Sequence, residues 1–281
     1  FEIDKKYELE KQADSIKHAD EIILHQAEAK TQKQRSIGIA IIAAIVVLFF
    51  IIVFLQLRKL KIVHSDLVQE KKKSDNLLLN ILPFSIAERL KKKEKTIADK
   101  YPEVSVLFSD IVGFTNFSDK QTPTELVEKL NVLFSKFDDL LEKYNIEKIK
   151  TIGDALMLVS GAPNKNPNHA SELIKVAQDM YSELDYFNKE YNENLGLRIG
   201  IHTGPVVAGV MGKKKFTYDL WGDTVNVAAR MESHGIPGTI HMSEATFAKV
   251  KDKFEVKNRG KIDIKGKGKM NTYTLEIPVL N

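Results

Sequence analysis

The sequence contains no cysteine and only one tryptophan. Without cysteine there is no disulfide framework, no thiolate metal site and no cysteine nucleophile. A phosphate-binding P-loop is also missing, because the glycine-rich run Gly200 to Gly212 lacks the G-x-x-x-x-G-K-[ST] pattern. Strong charge of one sign is absent too: 281 residues carry a formal net charge of +4. The basic residues are scattered or flank an apolar run, which argues against nucleic acid as a partner. What is present, 43% hydrophobic and 28% charged residues, suffices for one globular domain of about 150 to 200 residues plus further elements. The chain begins at Phe1 and not at Met, so a fragment or processed form with further sequence upstream is expected.

Residues 1–36 are polar and helix-friendly. Leu9, Ala13, Ile16, Ile23 and Ala27 recur at steps of three, four and seven, the signature of an amphipathic helix. From Ile37 to Leu55 no charged or strongly polar side chain interrupts the run. At about 1.5 Å rise per residue, such a helix spans the hydrocarbon core of a bilayer, and the span is placed at 37–57. Lys30, Lys33 and Arg35 precede it, whereas Arg58, Lys59, Lys61 and Lys71 to Lys73 follow it. That bias points to a single-pass membrane protein with its C-terminal part in the cytoplasm. Over 58–100, Leu60, Val63, Leu67, Glu70, Ser74, Leu77 and Ile81 alternate steps of three and four, an a/d seam with polar interruptions suited to a short parallel coiled coil. Pro83 ends or kinks it, and a short helix over Ser85 to Lys93 is expected next.

The texture changes at Tyr101. Alternation predicts a strand that runs into Asp110, and Thr122-Pro123-Thr124-Glu125 opens a helix to about Tyr144. Residues 146–151 and 156–159 read as a hairpin around Gly153-Asp154, followed by a helix from about Asn168 to Tyr191. Strands are expected at 197–203, 206–210, 216–220, 239–242, 254–256, 261–264 and 273–276, with helices after Gly222 and over 243–250. Lys213 to Lys215 read as a charged hairpin tip. Alternating strands and helices make the region 101–281 an α+β domain around one mixed or antiparallel sheet.

The stretch Phe216 to Ser233 concentrates polar chemistry. Asp219 ends a strand, Asp223 or Thr224 can cap the helix that follows, and Asn226 and Arg230 project from one helix face. An acceptor, an amide and a guanidinium at one strand-to-helix junction suit a ligand with a base to read and a phosphate to hold. Asp110 follows one strand and Asp154 sits on a hairpin turn; if those strands are neighbours, the two carboxylates meet and offer hard oxygen ligands for Mg²⁺ or Mn²⁺. Each residue also has a plainer reading. The aspartates can be turn residues, Lys150 and Asp219 a surface ion pair, Lys265 and Lys267 solvated strand-end charges, and His202 a packed structural side chain.

Four motifs in fixed order, FSDIVGFT (Phe108 to Thr115), KTIGDAL (Lys150 to Leu156), GIHTGPVVAG (Gly200 to Gly209) and YDLWGDTVNVAARM (Tyr218 to Met231), make the region resemble the class III nucleotide cyclases. LLLNILP (Leu77 to Pro83) with IAERL (Ile86 to Leu90) is similar to the helical transducer that precedes many membrane-anchored members. The resemblance implies a ferredoxin-like catalytic domain, two divalent metal ions per site, and two domains wrapped head to tail as a homodimer. Asp110 and Asp154 match the metal-binding aspartates, with the carbonyl of Ile111 beside them. Lys150 and Asp219 match the pair that reads the purine, which is lysine and aspartate in adenylyl cyclases and glutamate and cysteine in guanylyl cyclases. Asn226 matches the residue that orients the ribose, Arg230 the one that stabilises the α-phosphate, and Lys265 the one that holds the triphosphate. ATP is the implied substrate. A diguanylate cyclase would share the sheet type, but no GG[DE]EF-like loop is present.

Overall fold

The computed structural model describes residues 2–212 and 216–277, and the Lys213 to Lys215 tip lies outside them. Two compact units are present, one up to Ser74 and one beginning at Asp75.

The first unit consists of most of a single helix, α1 (Glu2–Leu79). Three segments separable by composition are thus one uninterrupted helix, as no proline or glycine pair breaks the backbone ladder between them. Its apolar side chains, Ile39, Phe49, Phe50 and Leu55 among them, are exposed. It is the one described helix long and apolar enough to cross a membrane. Leu60, Val63 and Leu67, the expected seam, are also exposed.

In the second unit, α1 ends at Leu79 and α2 (Phe84–Lys91) begins directly after Pro83. Leu82, Ile86 and Ala87 are buried with sheet residues, and Arg89 of α2 bonds both Glu94 and Asp99. The core unit is β1 (Ala98–Val112), α4 (Pro123–Tyr144), β2 (Glu147–Ile152), β3 (Ala155–Ser160), α5 (His169–Tyr191) and β4 (Gly196–Met211), with a five-residue α3 (Phe114–Ser118) after β1. The spatial order β2-β3-β1-β4, every pair antiparallel, is two interleaved split crossovers, the ferredoxin-like arrangement. The sheet continues through β6 (Thr239–Ser243), parallel to β4, to β8 (Gly268–Glu276) and β7 (Lys257–Ile264), while β5 (Thr217–Trp221) pairs with the far end of β4. Two helices complete it, α6 (Asp223–Ser233) and α7 (Glu244–Val250).

Period-two alternation sorts the two faces of this sheet. Leu107, Ile111, Leu156 and Leu158 pack with Phe137 of α4 and Leu173, Ile174 and Met180 of α5. Val104, Val106, Met157 and Val159 face the other way, onto Tyr218, Leu220, Ala228 and Ile86. A fully buried Leu, Ile or Phe here contributes roughly 1.5–3 kcal/mol. Helix α4 starts on a complete capping box: Glu125 N donates to Thr122 Oγ1, and Thr122 N donates to Glu125 Oε2.

Three expectations fail for identifiable reasons. The two strands placed at 197–203 and 206–210 are one sixteen-residue strand; Thr-Gly-Pro reads as a breaker, but Pro205 lies where the β1 register shifts between Tyr101 and Val104 and no ladder donor is needed. Phe254 to Val256 is not a strand. Phe254 and Val256 lean on the core, which mimics alternation, but the ladder starts at Lys257. Finally, neither Asp223 nor Thr224 caps α6. Gly222 is the cap residue at φ +140°, a conformation open to glycine, and the Thr224 hydroxyl donates instead to Pro205 O at 2.6 Å.

Candidate active site

Strand register brings the first pair of candidates together. Ser109 of β1 lies opposite Leu156 of β3. Asp110 therefore comes beside the Gly153-Asp154 turn that starts β3, a turn made possible by Gly153 at φ +64°. Across the other edge of β1, Asp110 is in register with Arg198 of β4, and Arg198 Nη2 donates to Asp110 Oδ2 at 2.7 Å. The same guanidinium donates through Nε to Glu232 Oε1 at 2.5 Å. Burial pushes the Asp110 carboxyl up, the charge of Asp154 adds to this, and Arg198 opposes both. Glu232 is likewise raised by burial, against the pull of Arg198. The Ile111 side chain is buried in the opposite face, so only its main chain remains available to a ligand.

Two half-buried carboxylates, with the charge of Asp154 adding to the raised proton affinity of Asp110, are a donor set of the right kind for a hard divalent cation, whose charge relieves the repulsion. The residues thus fit Mg²⁺ or Mn²⁺.

The second group is built on β2, β5 and α6. Lys150 of β2 donates to Asp219 Oδ2 of β5 at 2.6 Å, and the other oxygen, Oδ1, accepts from Leu220 N at 2.8 Å. Helix α6 follows β5 immediately and lies hard against β4. A Cβ on Gly200 would fall 1.9 Å from Glu232 N, so only glycine permits this approach. Asn226 and Arg230 point from the exposed side of α6 into a groove of about 660 Å³, shared with Lys265, Gly266 and Lys267 from the β7–β8 turn and with Asp223. Lys267 bonds Asp223 at 2.6 Å. Among the described residues, Arg230 and Lys265 are in no ion pair.

The eight candidates therefore fall into two groups. Asp110, Ile111 and Asp154 gather at the end of β1; in the second group Asn226, Arg230 and Lys265 share the groove, and Lys150 and Asp219 bind each other from strands that are not paired in the sheet. Sequence reasoning missed Arg198, Glu232 and the Asp223–Lys267 pair. Arg198 was visible as the lone charge in the apolar strand LRIGI, but its partners depend on register and on the seating of α6.

A family model for the adenylate and guanylate cyclase catalytic domain matches residues 96–277. An adenylate cyclase of Mycobacterium tuberculosis is 47% identical over 207 residues, 73% of this chain and 47% of the relative. The rat guanylate cyclase soluble subunit beta-2 is 43% identical over 219 residues, 77% of this chain and 32% of the relative. The chain thus spans about half or less of the length of these curated relatives. Among solved structures, the catalytic core of a rhodopsin-guanylyl cyclase with converted specificity, in complex with ATPαS, is 39% identical with a TM-score of 0.61, over 64% of this chain and 98% of the other. The adenylyl cyclase CyaB of P. aeruginosa is 26% identical with a TM-score of 0.62, over 64% and 96%.

Proposed function

The chain belongs to the adenylate and guanylate cyclase family, and within it we propose that it converts ATP to 3′,5′-cyclic AMP and pyrophosphate. The Lys150–Asp219 pair carries this reading. Adenine offers a donor at N6 and an acceptor at N1, which a carboxylate and an ammonium complement. Guanine reverses both, and each mispaired buried group costs about 1–3 kcal/mol. In the free protein the two side chains satisfy each other, and purine entry replaces that contact.

In the reaction the ribose 3′-oxygen attacks the α-phosphorus in line, its proton leaves to solvent, a bond to the 3′-oxygen forms, and the bond to the leaving pyrophosphate breaks. Asn226 orients the ribose. Arg230 stabilises charge building on the α-phosphate, where the planar guanidinium fork matches phosphate oxygens. Lys265 holds the triphosphate. Asp110, Asp154 and the main chain of Ile111 would hold one or two Mg²⁺ or Mn²⁺ ions, which supply Lewis acidity at the 3′-hydroxyl and the phosphate.

Two chains form the site, head to tail, so that the carboxylates of one protomer meet the Lys150, Asp219, Asn226 and Arg230 set of its partner. The apolar part of α1 spans a membrane, with the catalytic unit on the cytoplasmic side, and the exposed Leu60–Val63–Leu67 seam pairs two helices as a coiled coil. Purified full chain with Mn²⁺ or Mg²⁺, supplied with ATP or GTP, tests the chemistry: cyclic AMP is the expected product, and faster cyclic GMP formation from GTP would overturn the substrate assignment. Mixing Asp110→Ala with Asn226→Ala protein tests the assembly. Restored activity is expected, while inactivity in demonstrated heterodimers would refute shared sites.

A further inference from the structure

A seam of buried hydroxyls crosses the sheet and ends beside α6. It starts at His169 on α5, whose residue surface is 4% exposed. His169 Nδ1 lies 2.7 Å from Ser105 Oγ, which lies 2.7 Å from Thr203 Oγ1. Thr203 Oγ1 is 3.1 Å from Thr246 Oγ1, and that is 3.4 Å from Ser243 Oγ. Ser243 Oγ ends the seam 2.6 Å from His202 Nδ1 on β4. All four hydroxyl residues are buried. The other ring nitrogen, His202 Nε2, and the Thr224 hydroxyl both lie within 3.5 Å of the point where a Cβ on Gly204 would stand. His202 therefore abuts the first turn of α6, the helix that carries Asn226 and Arg230.

A hydroxyl has one proton to donate, so the seam has a direction. At neutral pH the carboxylate of Glu103, 3.7 Å from His169 Nε2, favours a proton on Nε2. His169 Nδ1 then accepts from Ser105, and the order runs from His202 Nδ1–H through Ser243, Thr246, Thr203 and Ser105 to His169. A charged His169 carries protons on both nitrogens and cannot accept. Ser105 must then donate to Thr203 and Thr203 to Thr246, whose own proton has Ile201 O within 3.4 Å. Ser243 is left to donate along its shortest contact, to His202 Nδ1, and the His202 proton moves to Nε2, against α6.

We propose that His202 is a positioning residue for α6, and that the hydroxyl seam lets the charge on His169 select the His202 tautomer and so the seating of Asn226 and Arg230. The activity side of this rests on the cyclase reading; the tautomer coupling does not. The groups that face His169 are Glu103 of β1, Lys249 of α7 and Glu172 of its own helix; burial holds its pKa below 6.5. Those that face His202 are Asp223 of α6 and Lys267 of the β7–β8 turn, and Glu244, Lys261 and Lys269 share a cavity of about 600 Å³ with it.

The test uses full chain in detergent with ¹⁵N-labelled histidine, where long-range ¹H–¹⁵N correlation reads which ring nitrogen carries the proton. As pH is lowered from 8 until His169 becomes charged, His202 in the wild type should pass from Nδ1–H to Nε2–H. In Thr203→Val, which keeps the volume and removes the hydroxyl, His169 should still titrate while His202 stays unmoved. Ser105→Ala breaks the seam one link away, should the valine variant fold poorly. In parallel, kcat of the wild type should fall with that titration at a KM for ATP changed less than about two-fold, a dependence that Thr203→Val abolishes. A His202 tautomer constant with pH, or one that follows His169 equally in Thr203→Val, overturns the coupling. A tautomer switch in protein that makes no cyclic nucleotide would leave the coupling standing and remove the cyclase assignment.

Discussion

The two groups of site residues are stabilised in opposite ways. At the end of β1, two carboxylates of like charge are brought together by register, with Arg198 as their counter-charge. Across β2, β5 and α6 four charges are already matched, Lys150 with Asp219 and Lys267 with Asp223, while Arg230 and Lys265 are in no ion pair among the described residues. The acidic group has charge left over and attracts a cation. The Lys150–Asp219 pair exchanges an internal contact for equivalent ones to a ligand, so it gains selectivity more than affinity. Loss of a residue from the first group should therefore abolish chemistry, and changes in the Lys150–Asp219 pair should redirect it.

The sharpest way to break this contrast is Asp154→Asn, which removes half the negative charge without altering shape. A kcat loss on the order of 10³-fold or more is expected, unrelieved by excess Mn²⁺. Restoration by metal would mean that Asp154 only tunes affinity. Arg230→Ala should cost somewhat less, about 10²–10³-fold in kcat with KM for ATP within a few-fold, because its contact strengthens as charge builds on the phosphate. A rise in KM with kcat intact would place it in ground-state binding. Next comes the exchange of Lys150→Glu with Asp219→Cys in one protein. Reversing the polarity that meets the purine edge should shift the ratio of kcat/KM for ATP over GTP by about 10–100-fold toward GTP. An unchanged ratio would show that the pair does not read the base.

Legibility from the sequence followed the range of the interactions. The hairpin around Gly153-Asp154, the helix start at Thr122-Pro123-Thr124-Glu125 and the alternation Val104, Val106, Phe108 are local, and each element appears where its pattern puts it. The Lys150–Asp219 contact joins residues 69 apart; the motifs brought the two residues to one purine, and the ion pair itself was expected only as their plainer reading. The Arg198 link to Asp110 and Glu232 was not, because it depends on β1–β4 register and on the close seating of α6 over Gly200. The break at Thr203-Gly204-Pro205 failed for the same reason: whether a proline interrupts a strand depends on the neighbour's register. The hydroxyl seam was equally hidden, since Ser105, His169, Thr203 and Ser243 share no sequence pattern.

The smallest expected effect concerns stability, and β2 supplies it, because one strand carries both a matched and an unmatched charge. Lys150 has its carboxylate. Glu147, three residues earlier, is raised by burial alone, up to about 7. Against an ordinary value near 4.5, the folded chain binds more protons than the unfolded chain between pH 4.5 and 7. The contribution of Glu147 is thus full below that window and lost as pH rises through it. His202 and His241 act with the opposite sign: burial pushes both down to about 4. Their contribution is full above pH 6.5 and lost as pH falls from there toward 4. Over the shared range the alkaline loss from one glutamate is more than offset by the gain from two histidines, so these three groups together weaken the catalytic unit as pH falls below about 6.5 and leave it nearly level above pH 7. Glu147→Gln removes only the alkaline side, so at pH 8 it should stabilise by about 2 kcal/mol after allowance for partial exposure, and at pH 4.5 by nearly nothing. Thermal unfolding of both proteins at the two pH values reads this as a midpoint difference of several degrees that vanishes in acid. An equal shift at both would trace it to packing and not to charge.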